Sequence, residues 1–267
     1  MRRQLTALAA LALTAAAVTV AAQQVSSTST AAAADQEFVV ATALTVDDLL
    51  GGSESTANTT SAATATTDTA CTDTTYVAKA WRVTGTWTWY YNGTGAPAAV
   101  ANTALATITS AGDTVSTGAN RCGLPANLAT VFKYAGTATA KPQIGTDLSC
   151  TGNDGKSVTG WGALPAKVLA YTCTYYNSKG VVTASDVLID NVAYTWFTTK
   201  PATCTGAQYD LQTTMTHERL HTAGLGHVDQ TANAAQVMTP ASAPCDTSRR
   251  LLGAGDYAGL KALAARK

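Results

Sequence analysis

Histidine is almost missing. The 267-residue chain has three, and all of them fall within HERLHTAGLGH, residues 217–227. None of the six cysteines forms a CxxC pair, so a Cys/His structural zinc site elsewhere has no material to be built from. Charge is also scarce. Charged residues make up 13% of the chain, against about 25% in ordinary soluble domains. Seventeen basic and seventeen acidic residues cancel, which excludes the basic footprint of a nucleic-acid binder. Beyond the N-terminus no apolar run could span a bilayer, so no membrane partner is expected once that segment is removed. There is no internal repeat.

Thr, Ala and Gly fill the space that charge leaves. The N-terminus, MRRQLTALAALALTAAAVTVAAQQ, has two arginines followed by an Ala-rich apolar run. Residues 1–22 read as a signal peptide cut before Gln23, with a second possible cut after Ala34. A retained anchor is the alternative, but the run is short and weakly hydrophobic. A secreted, extracellular chain with an even number of cysteines is expected to hold disulfides. Fifteen of the nineteen residues from 52 to 70 are Ser, Thr or Ala, too little apolar surface to order a segment. Residues 23–75 therefore read as a linker or pro-segment, with DQEFVVATALTVDDLL as a pro-segment remnant or a disordered tail. Residues 76–267 read as one domain. Sequons stand at Asn58 and Asn92.

Within that domain, residues 81–93 are aromatic and β-branched, which suits a strand. Residues 99–115 carry apolar positions at helical spacing. ATVFKYAGT, AKVLAYTCTYYN and DVLIDNVAYTWF are further strand candidates. Asp210 can cap a helix that runs through YDLQTTMTHERLHTAG, with Leu211 and Met215 on its buried face. DYAGLKALAARK closes the chain as a helix with Leu260, Leu263 and Ala264 inward. The pattern is α+β.

On a helix, His217 and His221 project from one face and can share a metal ion. Glu218 lies about 100° further round, within reach of a water but outside the ligand set. Gly224 can adopt the left-handed conformation that ends a helix. The chain can then return His227 to the metal. Three neutral imidazoles leave a fourth position open, as in catalytic rather than structural zinc sites.

This pattern, HExxHxxGxxH followed by a methionine turn, resembles the metzincin metallopeptidases. Met238 in QVMTP stands where the turn methionine would be. YDLQTTMTHE, GLGH and RRLLGAGDYAGLKALA are most similar to the matrixin-like branch, in its small exported bacterial form. The resemblance covers residues 76–267, and only residues 217–238 carry it specifically. It implies a twisted mixed sheet, two long helices, a zinc cleft and a small C-terminal part. It also implies a secreted, monomeric zinc endopeptidase acting on protein or peptide, with Glu218 as general base and Met238 packed beneath one catalytic Zn²⁺. Substrate is expected to add as a strand along residues 167–174. Because helix and turn close around one metal, Cys204 is expected to pair with Cys245. Cys122 with Cys150 is the next expectation, and Cys71 with Cys173 follows by elimination.

The chain departs from the family in several places. Arg219 replaces a small or apolar residue, and its side chain is expected to face solvent. The gap from His227 to Met238 is long, and Thr239 stands where matrixins have Tyr. No histidine remains for a second zinc. Asp190 in DVLIDN occupies a place comparable to a calcium ligand, but its acidic partners are missing. Arg121-Cys122-Gly123-Leu124-Pro125 resembles a cysteine switch, yet it follows the first strand and helix of the domain, which favours a disulfide. The competing reading is an exported zinc-binding interaction or adhesion module without turnover. A structural metal site is a third, and the open fourth position argues against it.

Overall fold

The computed structural model describes residues 36–47 and 68–266. The expected signal peptide and most of the Ser/Thr/Ala-rich stretch lie outside the described residues. The elements in chain order are β1 (Phe38–Val46), α1 (Thr69–Thr72), β2 (Val77–Ala78), β3 (Thr86–Asn92), α2 (Ala104–Thr117), β4 (Val131–Thr137) and β5 (Val158–Gly162). There follow β6 (Val168–Tyr176), β7 (Val182–Asp190), β8 (Thr195–Phe197), β9 (Gln208–Asp210), α3 (Leu211–Ala223), β10 (Leu225–Gly226), β11 (Ala241–Ser242) and α4 (Ala254–Ala264). The fold is α+β, and its main sheet is mixed.

That sheet has the order β11-β1-β6-β7-β5-β3-β4. The β3–β4, β3–β5 and β5–β7 pairs are parallel, whereas β6 is antiparallel to both β7 and β1. Nearly every residue of β6 and β7 is buried, as expected for central strands covered on both faces. β4 alternates exposed Val131 and Lys133 with buried Phe132, the mark of an edge strand with one wet face. α2 buries Ala104, Ile108, Ala111 and Val115, one helical face, and packs on β4 and α3.

The domain begins earlier than the sequence suggests. Residues 38–46 are neither tail nor linker: β1 pairs with β6 from Phe38↔Tyr176 to Leu44↔Ala170 and runs parallel to β11. Residues 167–174 are therefore not a free sheet edge. Two expected disulfides are also corrected. The bridges are Cys71–Cys122, Cys150–Cys173 and Cys204–Cys245, and no cysteine is free. The pairs Cys122–Cys150 and Cys71–Cys173 fail because α1 carries Cys71 into the fold beside α4, within reach of Cys122, while Cys173 on β6 takes Cys150. Three bridges fit an oxidising, extracellular environment. Among the described residues no helix is long and apolar enough to cross a membrane.

One smaller expectation also changes. Ala264 is exposed, although Leu260 and Leu263 are buried on α4. The Asn92 side chain is buried, and its amide donates to the carbonyls of Thr139 and Ala140.

Candidate metal centre

α3 begins where the sequence places a cap. Asp210 accepts hydrogen bonds from the Thr213 amide and hydroxyl at 3.0 and 2.7 Å, satisfying a donor that the helix leaves open. Arg250 grips the same carboxylate through two nitrogens, at 2.8 and 2.6 Å, tying the start of α3 to the C-terminal segment. The helix ends at Gly224 with φ 115°. A Cβ there would lie 2.2 Å from the Trp81 carbonyl oxygen, so both backbone conformation and crowding require glycine. The Trp81 indole donates to the carbonyl of His221, a second clamp on the same turn.

The turn returns His227 to the helix. His227 Nε2 lies 3.1 Å from His217 Nε2 and 3.0 Å from His221 Nε2. His217 Nδ1 donates to the Val237 carbonyl at 2.7 Å, and His221 Nδ1 to the Leu225 carbonyl at 2.9 Å. These bonds fix the Nδ1–H tautomer of both rings and leave their Nε2 lone pairs facing the centre. Burial depresses all three imidazoles, His221 to about 3 and His227 to about 4, so they are neutral at pH 7.

Lone pairs aimed at each other across 3 Å repel unless a cation lies among them. Bonds of about 2.0–2.1 Å in tetrahedral geometry would set neighbouring nitrogens about 3.3 Å apart, close to the spacing found. The three histidines thus form a cluster that could hold a metal ion, and no other such cluster occurs among the described residues. Asp190, the residue compared with a calcium ligand, accepts the amides of Leu164, Val192 and Ala193 and shapes the loop after β7.

Glu218 is buried on the same helix. Thr172 of β6 donates its hydroxyl to Oε2. The other oxygen, Oε1, has no hydrogen-bond partner. Burial pushes the Glu218 carboxyl up to about 8. A cation on the imidazoles would pull in the opposite direction.

Met238 is buried beside the centre, and its carbonyl accepts the Val228 amide. Asp256, on α4, accepts the amides of Val237 and Met238 and holds that turn. Neither Asp256 nor Thr172 stands out in the sequence. Asp256 sits in the first turn of the closing helix, but the partners of both residues are remote in the chain.

Arg219 is a correction. It is not solvent-facing but wholly buried, its guanidinium 4.3 Å from the Trp89 ring centroid and 5.4 Å from that of Trp87. Its Nη2 donates to Thr159 Oγ1 at 3.0 Å. Thr239 is also buried, and its hydroxyl meets Arg249, which in turn donates to the Ala241 carbonyl of β11. Comparison with protein-family models, with characterised proteins and with solved structures finds no match to this chain.

Proposed function

We propose that the chain is a secreted zinc-dependent endopeptidase of metzincin type, nearest the matrixin-like branch. One observation carries the reading: three lone-pair nitrogens converge on one point, and a buried carboxylate one residue after His217 on the same helix keeps one oxygen free. The resemblance of residues 217–238 to the metzincin pattern supports it.

His217, His221 and His227 would hold the ion, with the Val237 and Leu225 carbonyls orienting two of the rings. When bound, zinc supplies Lewis acidity, which lowers the pKa of water to about 7 and polarises a substrate carbonyl. Glu218 takes a proton from the attacking water at Oε1, while Thr172 holds Oε2. It then delivers that proton to the nitrogen of the leaving amine. Burial keeps bulk water from competing for the proton. Met238 packs beside the ligands and takes no proton.

A metal-binding module without turnover has one observation in its favour, the strand β1 that packs against the zinc-motif helix α3 and pairs with β6 and β11. A buried, partnerless carboxylate oxygen counts against it, since binding alone gives no reason to keep such a group. The test is Glu218→Gln. Peptide hydrolysis should fall by about 10²–10⁴-fold or more, with one zinc per chain retained. His227→Ala should instead lose most of the metal. Hydrolysis by Glu218→Gln within about tenfold of wild type would remove Glu218 as base, and full zinc occupancy in His227→Ala would remove His227 as ligand.

A further inference from the structure

Glu218 and Arg219 are neighbours on α3, but they face different strands. Glu218 meets Thr172 of β6. Arg219 reaches β3 and β5, where its guanidinium lies 4.3 Å from the Trp89 ring centroid and 5.4 Å from that of Trp87, and Nη2 donates to Thr159 Oγ1. Arg219, Trp89 and Thr159 are 0% exposed, and Trp87 is 7% exposed. A guanidinium carries five N–H donors and keeps its proton in proteins. Here it makes one hydrogen bond, and Nε and Nη1 have no partner. The Nε1–H groups of Trp87 and Trp89 have none either. Four buried nitrogens of one side-chain cluster therefore donate to nothing, and the group at its centre is charged.

The cluster is out of balance in two ways. Buried donors are ordinarily paired, and a buried charge ordinarily has an opposite charge beside it. Among the described residues no carboxylate lies within ion-pair distance of Arg219. The indole faces attract the cation, but they carry no net charge and leave their own N–H groups unpaired. A water molecule would accept two bonds while adding two hydrogens that need acceptors. An anion corrects both imbalances, because it accepts from any side and cancels the charge. The surroundings are aromatic: Phe132 packs edge-on to Trp87 at 5.1 Å, and Tyr134 lies 5.2 Å from Trp89. A small monovalent ion loses less on leaving water for such walls than a divalent sulfate or phosphate does.

We propose that Arg219, Trp87, Trp89 and Thr159 form a buried site for one small monovalent anion of the halide class, which acts as the counter-ion of Arg219 between α3 and the sheet. The inference does not rest on the peptidase reading. The anion holds α3 against β3 and β5 whether or not a metal is bound, and it makes the stability of the fold depend on halide.

The test uses the full-length chain, treated with chelator so that halide cannot act through a metal ion. Thermal unfolding is followed in sodium chloride and in sodium gluconate, whose anion is bulky, at one ionic strength. An ion that binds only the folded state shifts the unfolding equilibrium by the factor 1 + [L]/Kd. A site half-filled at about 10 mM would shift it about 30-fold between about 1 and 300 mM chloride, or about 4–8 °C in Tm. Bromide should replace chloride. Arg219→Met has a long side chain without charge or donors, and it should unfold at the same Tm in both salts. Trp89→Phe keeps a ring but loses one donor, and it should need several-fold more chloride for the same shift. Crystals grown in bromide should show an anomalous peak in contact with the Arg219 guanidinium.

Equal Tm values for wild type in chloride and gluconate overturn the proposal. So does a chloride shift that Arg219→Met retains in full, which is a general salt effect. If Arg219→Met does not fold, Trp89→Phe and the bromide crystals decide: an unchanged chloride requirement, or no peak at Arg219, overturns it. Peptide hydrolysis enters none of these readouts, so the peptidase reading stands or falls separately.

Discussion

Asp256→Asn should weaken both the fold and the metal centre, through one carboxylate that touches neither metal ligand nor substrate. Asp256 is 1% exposed. Its Oδ2 accepts the amides of Val237 and Gly253 at 2.8 and 3.0 Å, and its Oδ1 accepts the Met238 amide at 3.2 Å. The Val237 carbonyl takes the Nδ1 proton of His217, and the Met238 carbonyl takes the amide next to His227. The carboxylate therefore fixes a turn that grips both ligand-bearing segments. Asparagine has the same shape but only one accepting oxygen. If that oxygen stays with Val237 and Gly253, the new amide group meets the Met238 N–H donor to donor.

One buried N–H without a partner costs about 1–3 kcal/mol, and the two remaining bonds lose their charge assistance. Burial pushes the Asp256 carboxyl up to about 6, so asparagine is spared part of the cost of burying a charge. A net loss of about 1–3 kcal/mol is expected, or about 3–10 °C in Tm for a domain of this size. Loosening the His217 anchor should cost a further ~10–100-fold in zinc affinity. Thermal unfolding of the chelator-treated protein reads the first effect, and competition against a fluorescent chelator reads the second. Asp113→Asn, on the exposed side of α2, is the control and should stay within about 0.5 kcal/mol. A Tm within about 2 °C of wild type, or a zinc affinity within about twofold, would refute the coupling of this carboxylate to the centre.

Two further outcomes follow from other parts of the chain. Replacing Cys204 and Cys245 together by serine opens a link across 41 residues, which the chain-entropy model values at about 4 kcal/mol; a denaturant midpoint that does not move would contradict it. Asp186 is buried and accepts the Gln143 and Val158 amides, and burial pushes its carboxyl from 3.8 up to about 6. A raised carboxylate pKa means stability that is present at low pH and lost as pH rises through about 6. The stability of wild type relative to Asp186→Asn should therefore fall by up to about 3 kcal/mol between pH 4 and 7, at ~1.4 kcal/mol per pH unit. Parallel pH curves, or a gap that moves the other way, would count against the burial argument.

The site is legible in the sequence where its signals are local. The Asp210 cap, the four-residue spacing of His217 and His221 and the left-handed Gly224 all act within one helix and its ends. Arg219 misleads because α3 is polar in sequence and resembles a helix with a wet face. It is instead enclosed by α2, β6, β7 and the C-terminal segment, and the two indoles that receive the guanidinium lie about 130 residues earlier. β1 escapes a local reading for the same kind of reason. FVVATALTV has modest strand character and is followed by a Ser/Thr/Ala tract, so its local composition resembles that tract. Its order comes from β6, more than 120 residues away, and from β11, almost 200 away. The misassigned disulfides share that error, since treating residues 23–75 as outside the fold puts Cys71 out of reach of Cys122.

That same strand explains how a chemically demanding centre can sit in a stable fold. β11 is two residues long and joins the main sheet only through β1. β6 would otherwise present an unpaired edge, a liability in an exported protein. With β1 in place both rows are paired, and Leu44 joins the apolar core that holds Met215, Leu220, Val237 and Met238. One nine-residue strand thus pairs along β6 and ties β11, which follows the turn at Met238, to the main sheet.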